Sequence, residues 1–193
     1  CSSKQAAIHY QTYIEKALAK EIELYKKQPE QSIDKAWLER LEFLKTAVVI
    51  SSDDTNEAAS FTYARKQAKE LKAIESFKKK FDHSKPNTGV AFLIVCDMLL
   101  TGFDAPIEQV MYLDRVIQAH NLLQAVARVN RVGGADKDKG FVVDYVGIGH
   151  HLKRAIDNYD EREQQEIEET LSFPEDEIRQ LEDDHRAILA LLK

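Results

Sequence analysis

The sequence predicts an α/β protein built on a parallel β-sheet with helices on both faces. Four short apolar runs alternate with longer segments of helical periodicity. The runs are apolar throughout instead of alternating with polar residues, which is typical of strands buried on both faces. Strands of that kind, joined by helices, pair in parallel through right-handed connections.

The composition indicates a soluble globular protein. A chain of 193 residues can form one substantial core and an appendage. The longest apolar run, Phe92 to Cys96, is far shorter than the roughly 20 residues that span a bilayer. The polar start carries no secretory signal, so we expect a cytoplasmic protein with a reduced, buried Cys96. Because the first residue is Cys1, we also expect the chain to be part of a longer polypeptide.

Three helices are predicted in the first half of the chain. Ser2 with Gln5 forms a capping-box pattern that begins a helix extending to about Lys27. Asp34 can cap a second, shorter helix. A long third helix is predicted over 56–80. The apolar positions of the first helix are Ala7, Tyr10, Ile14, Leu18, Ile22 and Tyr25.

Four strands and one polar turn complete the main domain. The strands are predicted over 47–50, 90–96, 109–113 and 141–145. Residues 133–140 are rich in glycine and charge and are expected to form a polar turn. We therefore assign 1–150 to one α/β domain and 151–193 to the start of a helical region or linker.

Charge is distributed unevenly along the chain. The net charge of −6 argues against indiscriminate nucleic-acid binding. The stretch 65–85 is nevertheless basic, while 157–184 is strongly acidic. The basic stretch is either a solvated helix face or a surface for phosphates, and phosphate contact would make affinity depend steeply on salt.

A segment near residue 128 predicts a helix with two arginines on one face. Gln124, Arg128 and Arg131 have the spacing i, i+4 and i+7, which places them on the same side of a helix. The apolar residues Leu122, Val126 and Val129 fall on the opposite side. Guanidiniums stay charged and match phosphate oxygens in a two-pronged geometry. The alternative is a solvated helix face.

A second segment follows the 90–96 strand. Gly102 permits a tight backbone path at the carboxyl end of this strand. In open α/β sheets, ligands bind outside the carboxyl ends of the strands. Asp104 can accept a hydrogen bond from a sugar hydroxyl or an arginine, or it can stabilise the turn before Pro106.

Together the two segments resemble motifs V and VI of the superfamily 2 helicases and translocases. Residues 95–106 are similar to the strand and Gly-x-Asp-x-Pro of motif V, and 124–131 to the Gln-x-x-Gly-Arg-x-x-Arg of motif VI, with Ala127 in place of glycine. The amino-acid sequences of segments 99–106, 122–125 and 142–147 resemble those of the motor (restriction) subunit of type I restriction endonucleases. The resemblance covers residues 1 to about 155, and Cys1-Ser2-Ser3 resembles the end of the motif IV strand.

This resemblance implies the second RecA-like lobe of a two-lobed ATPase. Arg131 would be the arginine finger that reaches the γ-phosphate, and Arg128 would contact phosphate or orient that finger. Gln124 would help to arrange the nucleotide end. Gly102 and Asp104 would face the nucleotide across the interface between the lobes.

A DNA-tracking surface is also implied by the resemblance. Ser2, Ser51 and Thr101, which follow predicted strands or resemble such ends, would face the nucleic-acid backbone. The alternative for all three is an ordinary helix cap or turn. The full-length protein would then translocate double-stranded DNA and cut it as part of a restriction system.

The parts that an ATPase needs besides this lobe are absent from the chain. It has no Gly-x-x-x-x-Gly-Lys-Ser/Thr loop, so ATP and Mg²⁺ would be held mainly by the first lobe, and the fragment alone would be inactive. We expect no metal ligand here and a first strand that is missing or clipped before Cys1. Expected partners are double-stranded DNA, the first lobe and nuclease domain of the same polypeptide, and separate methylation and specificity subunits.

Two alternatives remain at this point. One is the second lobe of another superfamily 2 DNA or RNA helicase. The other is a non-catalytic α/β module that binds other subunits through its acidic helical tail. Only the ATPase interpretations predict closure against a phosphate-loop lobe when nucleotide binds.

Overall fold

The structure is a computed structural model, and the residues that it describes all lie within one compact unit, Cys1–Ile148. The helical region predicted over 151–193 and its boundary with the main domain lie outside the described residues. The described residues are 1–52, 57–96, 98, 103–117, 125–126, 129, 137 and 139–147.

The described elements confirm the α/β class. All four predicted strands are present, each moved or shortened at its ends by one or two residues. In chain order the elements are α1 (Lys4–Lys26), a 3₁₀ turn (Glu30–Ser32), α2 (Lys35–Phe43), β1 (Lys45–Val49), α3 (Ala59–Glu70), α4 (Ala73–Phe77), β2 (Val90–Val95), β3 (Val110–Leu113) and β4 (Phe141–Asp144).

The strands pair in parallel, as predicted. Strand β1 pairs with β2 from Lys45↔Val90 to Val49↔Val95, with a bulge after Lys45. Strand β3 pairs with β4, and Leu113 lies opposite Asp144. Within the described residues these are two two-stranded sheets. Parallel pairing brings the carboxyl ends of the two strands of each pair to the same edge, where α/β proteins bind ligands.

Both faces of the β1–β2 pair are covered by helices, because successive side chains of a strand point to opposite faces. On one face, Val48 and Ile94 pack with Ala7 of α1 and Ala64 of α3. On the other face, Ala47 and Val90 pack with Ala73 of α4. Cys96 is buried in the first of these clusters. The continuous apolar runs in the sequence are therefore explained by burial on two sides.

The beginning of α1 differs from the predicted capping box. The N-cap is Ser3, not Ser2, and the Ser3 hydroxyl accepts a hydrogen bond of 3.0 Å from the amide of Ala6. Gln5 instead contacts His9 one turn later. The predicted cap of α2 is confirmed, since the Asp34 carboxylate accepts hydrogen bonds from two amides in the first helical turn.

The prediction of one long helix over 56–80 is wrong. The chain forms α3 and α4, which are separated at Leu71 and Lys72. Lys72 has φ 46°, a left-handed conformation that interrupts a right-handed helix. The break lets Ala73 and Ser76 of α4 be buried, and the Ser76 hydroxyl accepts a hydrogen bond from the amide of Val90.

A partly buried polar network joins α1 to the sheet and to α3. The predicted apolar stripe of α1 omits Gln11, which is buried, and includes Tyr10, which is exposed. The Gln11 amide group donates to the Thr46 hydroxyl at 3.2 Å and to the Gln67 side chain at 2.8 Å. Thr46 in turn donates to Glu15. The network satisfies polar groups that would otherwise be costly to bury.

Candidate functional site

Three of the eight predicted site residues are described by the structure: Asp104, Ser2 and Ser51. All three are exposed. The other five lie outside the described residues: Gly102, Thr101, Gln124, Arg128 and Arg131. The structure does, however, describe the residues next to them in sequence, and these define where the two motifs meet.

Residues 103–107, which include the end of the predicted motif V and a turn at Pro106 and Ile107, are called the motif V bend. This bend is held by buried residues on either side of Asp104. Phe103 and Ala105 are buried, whereas Asp104 between them is exposed. The Phe103 ring lies 6.2 Å from the ring of Phe77 in α4, and the Lys78 ammonium lies 4.9 Å from the Phe103 ring centre. These contacts fix the bend against α4, so that the backbone at Asp104 has a defined position at the protein surface.

The predicted helix that carries Gln124, Arg128 and Arg131 is called the arginine helix, and the structure describes three residues of its buried side. Ala125, Val126 and Val129 are helical, and all three are buried. This confirms burial of Val126 and Val129, the two described members of the predicted apolar stripe. At 100° per residue the three buried positions form one continuous arc, and Gln124, Arg128 and Arg131 are predicted on the opposite side of the helix.

Lys137 links the bend to this helix. Its ammonium donates hydrogen bonds to the carbonyl oxygen of Pro106 at 3.0 Å and to the carbonyl oxygen of Val129 at 2.6 Å. Pro106 ends the predicted motif V, and Val129 lies between the two arginines of the predicted motif VI. One side chain thus brings the described parts of both motifs together. The sequence analysis placed Lys137 in a polar turn, and that pattern gave no sign that its side chain is only 5% exposed.

The environment of Lys137 is unusual for a lysine. Burial disfavours the charged ammonium and lowers the pKa of Lys137 below its ordinary value, while the negative charge of Glu108 acts in the opposite direction. The two carbonyl oxygens offset part of the cost of burying the charge.

Gly140 holds the same helix from another side. A Cβ atom at Gly140 would overlap the Val129 carbonyl oxygen and lie 2.5 Å from both the carbonyl carbon and Cγ1 of Val129. The beginning of β4 therefore packs directly on the backbone at Val129, at a distance that only glycine allows. The sequence signal was a glycine between a polar turn and a strand, but its partner was not apparent.

Ser2 lies beside the carboxyl end of β3. Its amide and its hydroxyl both point to the Asp114 carboxylate at 3.4 Å. The neighbouring Cys1 donates from its amino group to the carbonyl oxygen of Val95 at 2.6 Å. The first two residues thus contact the ends of β2 and β3. Although part of the Tyr10 side chain is exposed, partial burial raises its pKa, and a hydrogen bond to Asp114 adds to that shift.

Ser51 lies at the carboxyl end of β1, where an ion pair holds the chain. The Ser51 carbonyl accepts a hydrogen bond of 3.2 Å from the Arg65 guanidinium. Arg65 also pairs through both terminal nitrogens with the carboxylate of Glu57. Arg65 therefore has a structural role, and we do not count it among the residues of the basic stretch that would contact phosphates.

The rest of the basic stretch has mixed surroundings. Lys85 forms an ion pair of 2.8 Å with Asp82, and Lys66 lies 3.9 Å from Glu70. A shallow depression of about 430 Å³ is lined by Lys79, Lys80, Phe81, Asp82, Lys85 and Thr88. Acidic neighbours thus reduce the positive charge along this stretch.

Two features are absent from the part of the chain that the structure describes. Among those residues no group of three or more His, Cys, Asp or Glu side chains is arranged to hold a metal ion. Within the same ranges no helix has both the length and the apolar character needed to cross a membrane.

Comparison with known proteins gives a consistent result. Residues 1–147 match the T1R_D3-like family model, which describes domain 3 of the type I restriction enzyme subunit R. The type I restriction enzyme HindI endonuclease subunit of Haemophilus influenzae is 39% identical over 118 residues, which cover 60% of this chain and 10% of that protein. The type I restriction enzyme SauCOLORF180P endonuclease subunit of Staphylococcus aureus is 35% identical over 108 residues, or 56% of this chain and 10% of the relative. The chain thus spans about one tenth of the length of these relatives.

Proposed function

The chain belongs to the family of type I restriction enzyme subunit R domain 3, and from this premise we propose that it is the second RecA-like lobe of an ATP-driven DNA translocase. ATP would bind between this lobe and a first lobe elsewhere in the same polypeptide. The full-length protein would use ATP hydrolysis to move double-stranded DNA and would serve as the endonuclease subunit of a restriction system.

The observation that carries this proposal is the link made by Lys137. An ATPase of this kind needs its motif V bend and its arginine helix side by side. The ammonium of Lys137 contacts Pro106 and Val129, which belong to these two segments, at 3.0 and 2.6 Å. With the apolar side of the helix buried, the geometry favours an arginine face directed away from the core.

Each predicted site residue has a role in this proposal. Arg131 is the arginine finger for the γ-phosphate, and Arg128 contacts phosphate or orients Arg131. Gln124 arranges the end of the nucleotide, while Gly102 and Asp104 face it across the interface between the lobes. Guanidiniums at that point would stabilise the charge that develops on the phosphoryl group during transfer.

The phosphate loop and Mg²⁺ would belong to the first lobe. Bound Mg²⁺ would neutralise charge on the phosphate oxygens. The contribution of this chain is to bring its arginines to the nucleotide when the cleft closes. Hydrolysis then reopens the cleft, and the two lobes change their grip on the DNA.

Contact with DNA is assigned to residues near strand ends. Ser2 and Ser51 are exposed at the ends of β3 and β1, and Thr101 precedes the motif V glycine. Hydroxyl groups and backbone amides commonly bind DNA phosphates, which position a protein without reading the base sequence. Separate methylation and specificity subunits would complete a cytoplasmic complex and supply sequence recognition.

Replacement of Arg131 tests the proposal in the full-length protein assembled with its partner subunits. An arginine finger contributes about 10³–10⁵ in rate, so Arg131→Ala should reduce DNA-stimulated ATP hydrolysis by a factor in that range. DNA binding should remain near the wild-type level. Arg40→Ala, which removes an exposed arginine of α2, is the matched control and should hydrolyse ATP normally. Hydrolysis at the wild-type rate by Arg131→Ala would contradict the proposal.

The same experiments distinguish the two alternatives. A non-catalytic module predicts no loss of ATP hydrolysis in Arg131→Ala and no nucleotide-dependent contact with a phosphate-loop lobe. Another superfamily 2 helicase predicts the loss of hydrolysis but no restriction. Hydrolysis stimulated by double-stranded DNA with an unmethylated site, followed by cleavage, separates the restriction motor from such a helicase.

A further inference from the structure

Lys137 has no role in the motifs that the sequence resembles, yet it occupies the position where they meet. Its ammonium is buried and is bound to carbonyl oxygens that are 31 and 8 residues away in sequence. Both acceptors belong to the backbone, so the hydrogen bonds fix main-chain positions, not side-chain rotamers.

We propose that Lys137 is a positioning residue for ATP hydrolysis, which holds the arginine helix at Val129 against the motif V bend at Pro106 and so sets the distance from Arg131 to the γ-phosphate. This inference rests on the function proposed above. Val129 precedes Arg131 by only two residues, so a displacement of the Val129 carbonyl is transmitted to the backbone that carries the arginine.

The chemistry of the side chain supports a positional role. An apolar side chain of similar length, such as methionine, would fill the same space without the cost of burying a charge. Lysine instead supplies up to three donors from one point, which lets it hold two carbonyl oxygens of separate segments at the same time. The buried lysine is therefore better explained by the positions in which it holds the two carbonyl groups than by a contribution to the free energy of folding.

Gly140 provides independent support. The start of β4 packs on the Val129 backbone so closely that no Cβ fits at Gly140. Lys137 binds the carbonyl oxygen of the same residue. The arginine helix is thus fixed at Val129 by a hydrogen bond from Lys137 and by a steric contact with Gly140. A reaction that loses about 10²-fold in rate for a misplacement of 1 Å requires such control.

The test uses Lys137→Met and Lys137→Gln in the full-length, assembled enzyme. Methionine keeps the length and removes the donors, whereas glutamine is shorter and keeps neutral donors. We expect kcat for DNA-stimulated ATP hydrolysis to fall about 10–100-fold in Lys137→Met. The KM for ATP should change less than about twofold, because the first lobe holds the triphosphate. Lys139→Met, an exposed lysine in the same segment, is the matched control and should keep the wild-type kcat.

A second genetic background separates positioning from general folding. If Lys137 acts through Arg131, Lys137→Met should cause no further loss of kcat in an Arg131→Ala protein. A purely structural role would instead lower DNA binding and the unfolding temperature in both backgrounds. An equal loss of kcat in the two backgrounds would overturn the inference.

The remaining outcomes also decide the matter. A wild-type kcat in Lys137→Met, with Arg131→Ala inactive, would refute the role of Lys137 and leave the proposed function intact. A wild-type kcat in Arg131→Ala would refute the proposed function, and the role of Lys137 with it. If Lys137→Met does not fold, Lys137→Gln carries the test: we expect kcat to fall at least about fivefold at unchanged DNA binding. A wild-type kcat in Lys137→Gln would overturn the inference.

Discussion

Replacement of Gly140 by alanine tests the packing of the chain before β4 on the arginine helix at Val129. An added Cβ would lie 2.5 Å from the Val129 carbonyl carbon, whereas Cβ atoms in proteins essentially never come within 3.0 Å of such an atom. The backbone at Val129 or at Gly140 must therefore move by at least about 0.5 Å to clear the carbonyl carbon, and by more to clear the carbonyl oxygen, which lies closer. Because the obstacle is backbone, a change of rotamer cannot relieve it.

Gly140→Ala should lower both the stability of the domain and the rate of ATP hydrolysis. Overpacking of a close-packed site costs typically about 1–3 kcal/mol, and a backbone obstacle places this site toward the upper end. A shift approaching 1 Å at Val129 should also lower the rate of ATP hydrolysis, by up to about 100-fold, if the arginine helix acts as proposed. The first effect depends on the fold alone and the second on the function.

Hydrogen exchange and ATP hydrolysis measure the two effects in the full-length protein. Exchange of amides in β4 and in the arginine helix should become faster by about tenfold for each 1.4 kcal/mol of lost stability. Gly147→Ala is the matched control. Gly147 has φ 73° but no heavy atom within 4 Å of an added Cβ, so we expect a local cost of about 1–2 kcal/mol and normal hydrolysis. Unchanged exchange in Gly140→Ala would refute the packing described for Val129.

Three further predictions concern other parts of the domain. Gln11→Leu should destabilise the domain by about 1–3 kcal/mol, measured by hydrogen exchange, because the buried Thr46 hydroxyl and the half-buried Gln67 side chain both lose their donor. The pKa of Asp82 is held at about 2, below its ordinary 3.8, chiefly by the hydrogen bond from Lys85. The ionised carboxylate of Asp82 therefore stabilises the folded state above about pH 4, and this contribution is lost as the pH falls through 2. Lys85→Ala should raise the pKa of Asp82 toward 3.8 in a carboxyl NMR titration, and an unchanged value would contradict this cause. Asp114→Asn should lower the raised pKa of Tyr10, but not fully to 10.0, because partial burial of Tyr10 is the larger cause. An NMR titration of the Tyr10 ring measures this change. An unchanged pKa would contradict the hydrogen bond between Tyr10 and Asp114.

The strands could be predicted from the sequence because their signal is local. Runs such as Ala47–Ile50 are apolar, β-branched and bounded by polar residues, so each carries its own indication of a buried strand. The exact ends differ by one or two residues because pairing with a neighbour decides them. The register of β1 on β2, for example, includes a bulge after Lys45.

The break between α3 and α4 could not be predicted in this way. No glycine or proline marks it, and residues 56–80 have helical periodicity throughout. The left-handed conformation of Lys72 is compensated by tertiary contacts, since Ala73 packs on the sheet and Ser76 bonds to Val90. Those contacts involve residues that are distant in sequence. A local pattern cannot report them.

The apolar side of the predicted arginine helix could be predicted for the same reason as the strands, since its signal is also local. The spacing of Gln124, Arg128 and Arg131 is a property of one helix, and burial of its opposite side is confirmed at the described positions. Lys137 was missed because its two acceptors are backbone carbonyls, which every residue possesses. No side-chain pattern distinguishes a lysine of this kind from a solvated one in a polar turn.

The most direct test of the account is the position of Arg131 in the closed enzyme. A structure of the full-length protein, bound to double-stranded DNA and to ADP with a planar mimic of the transferring γ-phosphoryl group, would measure it. We predict that the Arg131 guanidinium lies within about 3 Å of that mimic, with the Val129 carbonyl still bound to Lys137. An arginine from elsewhere at that position, with Arg131 in solvent or in an internal ion pair, would contradict the account.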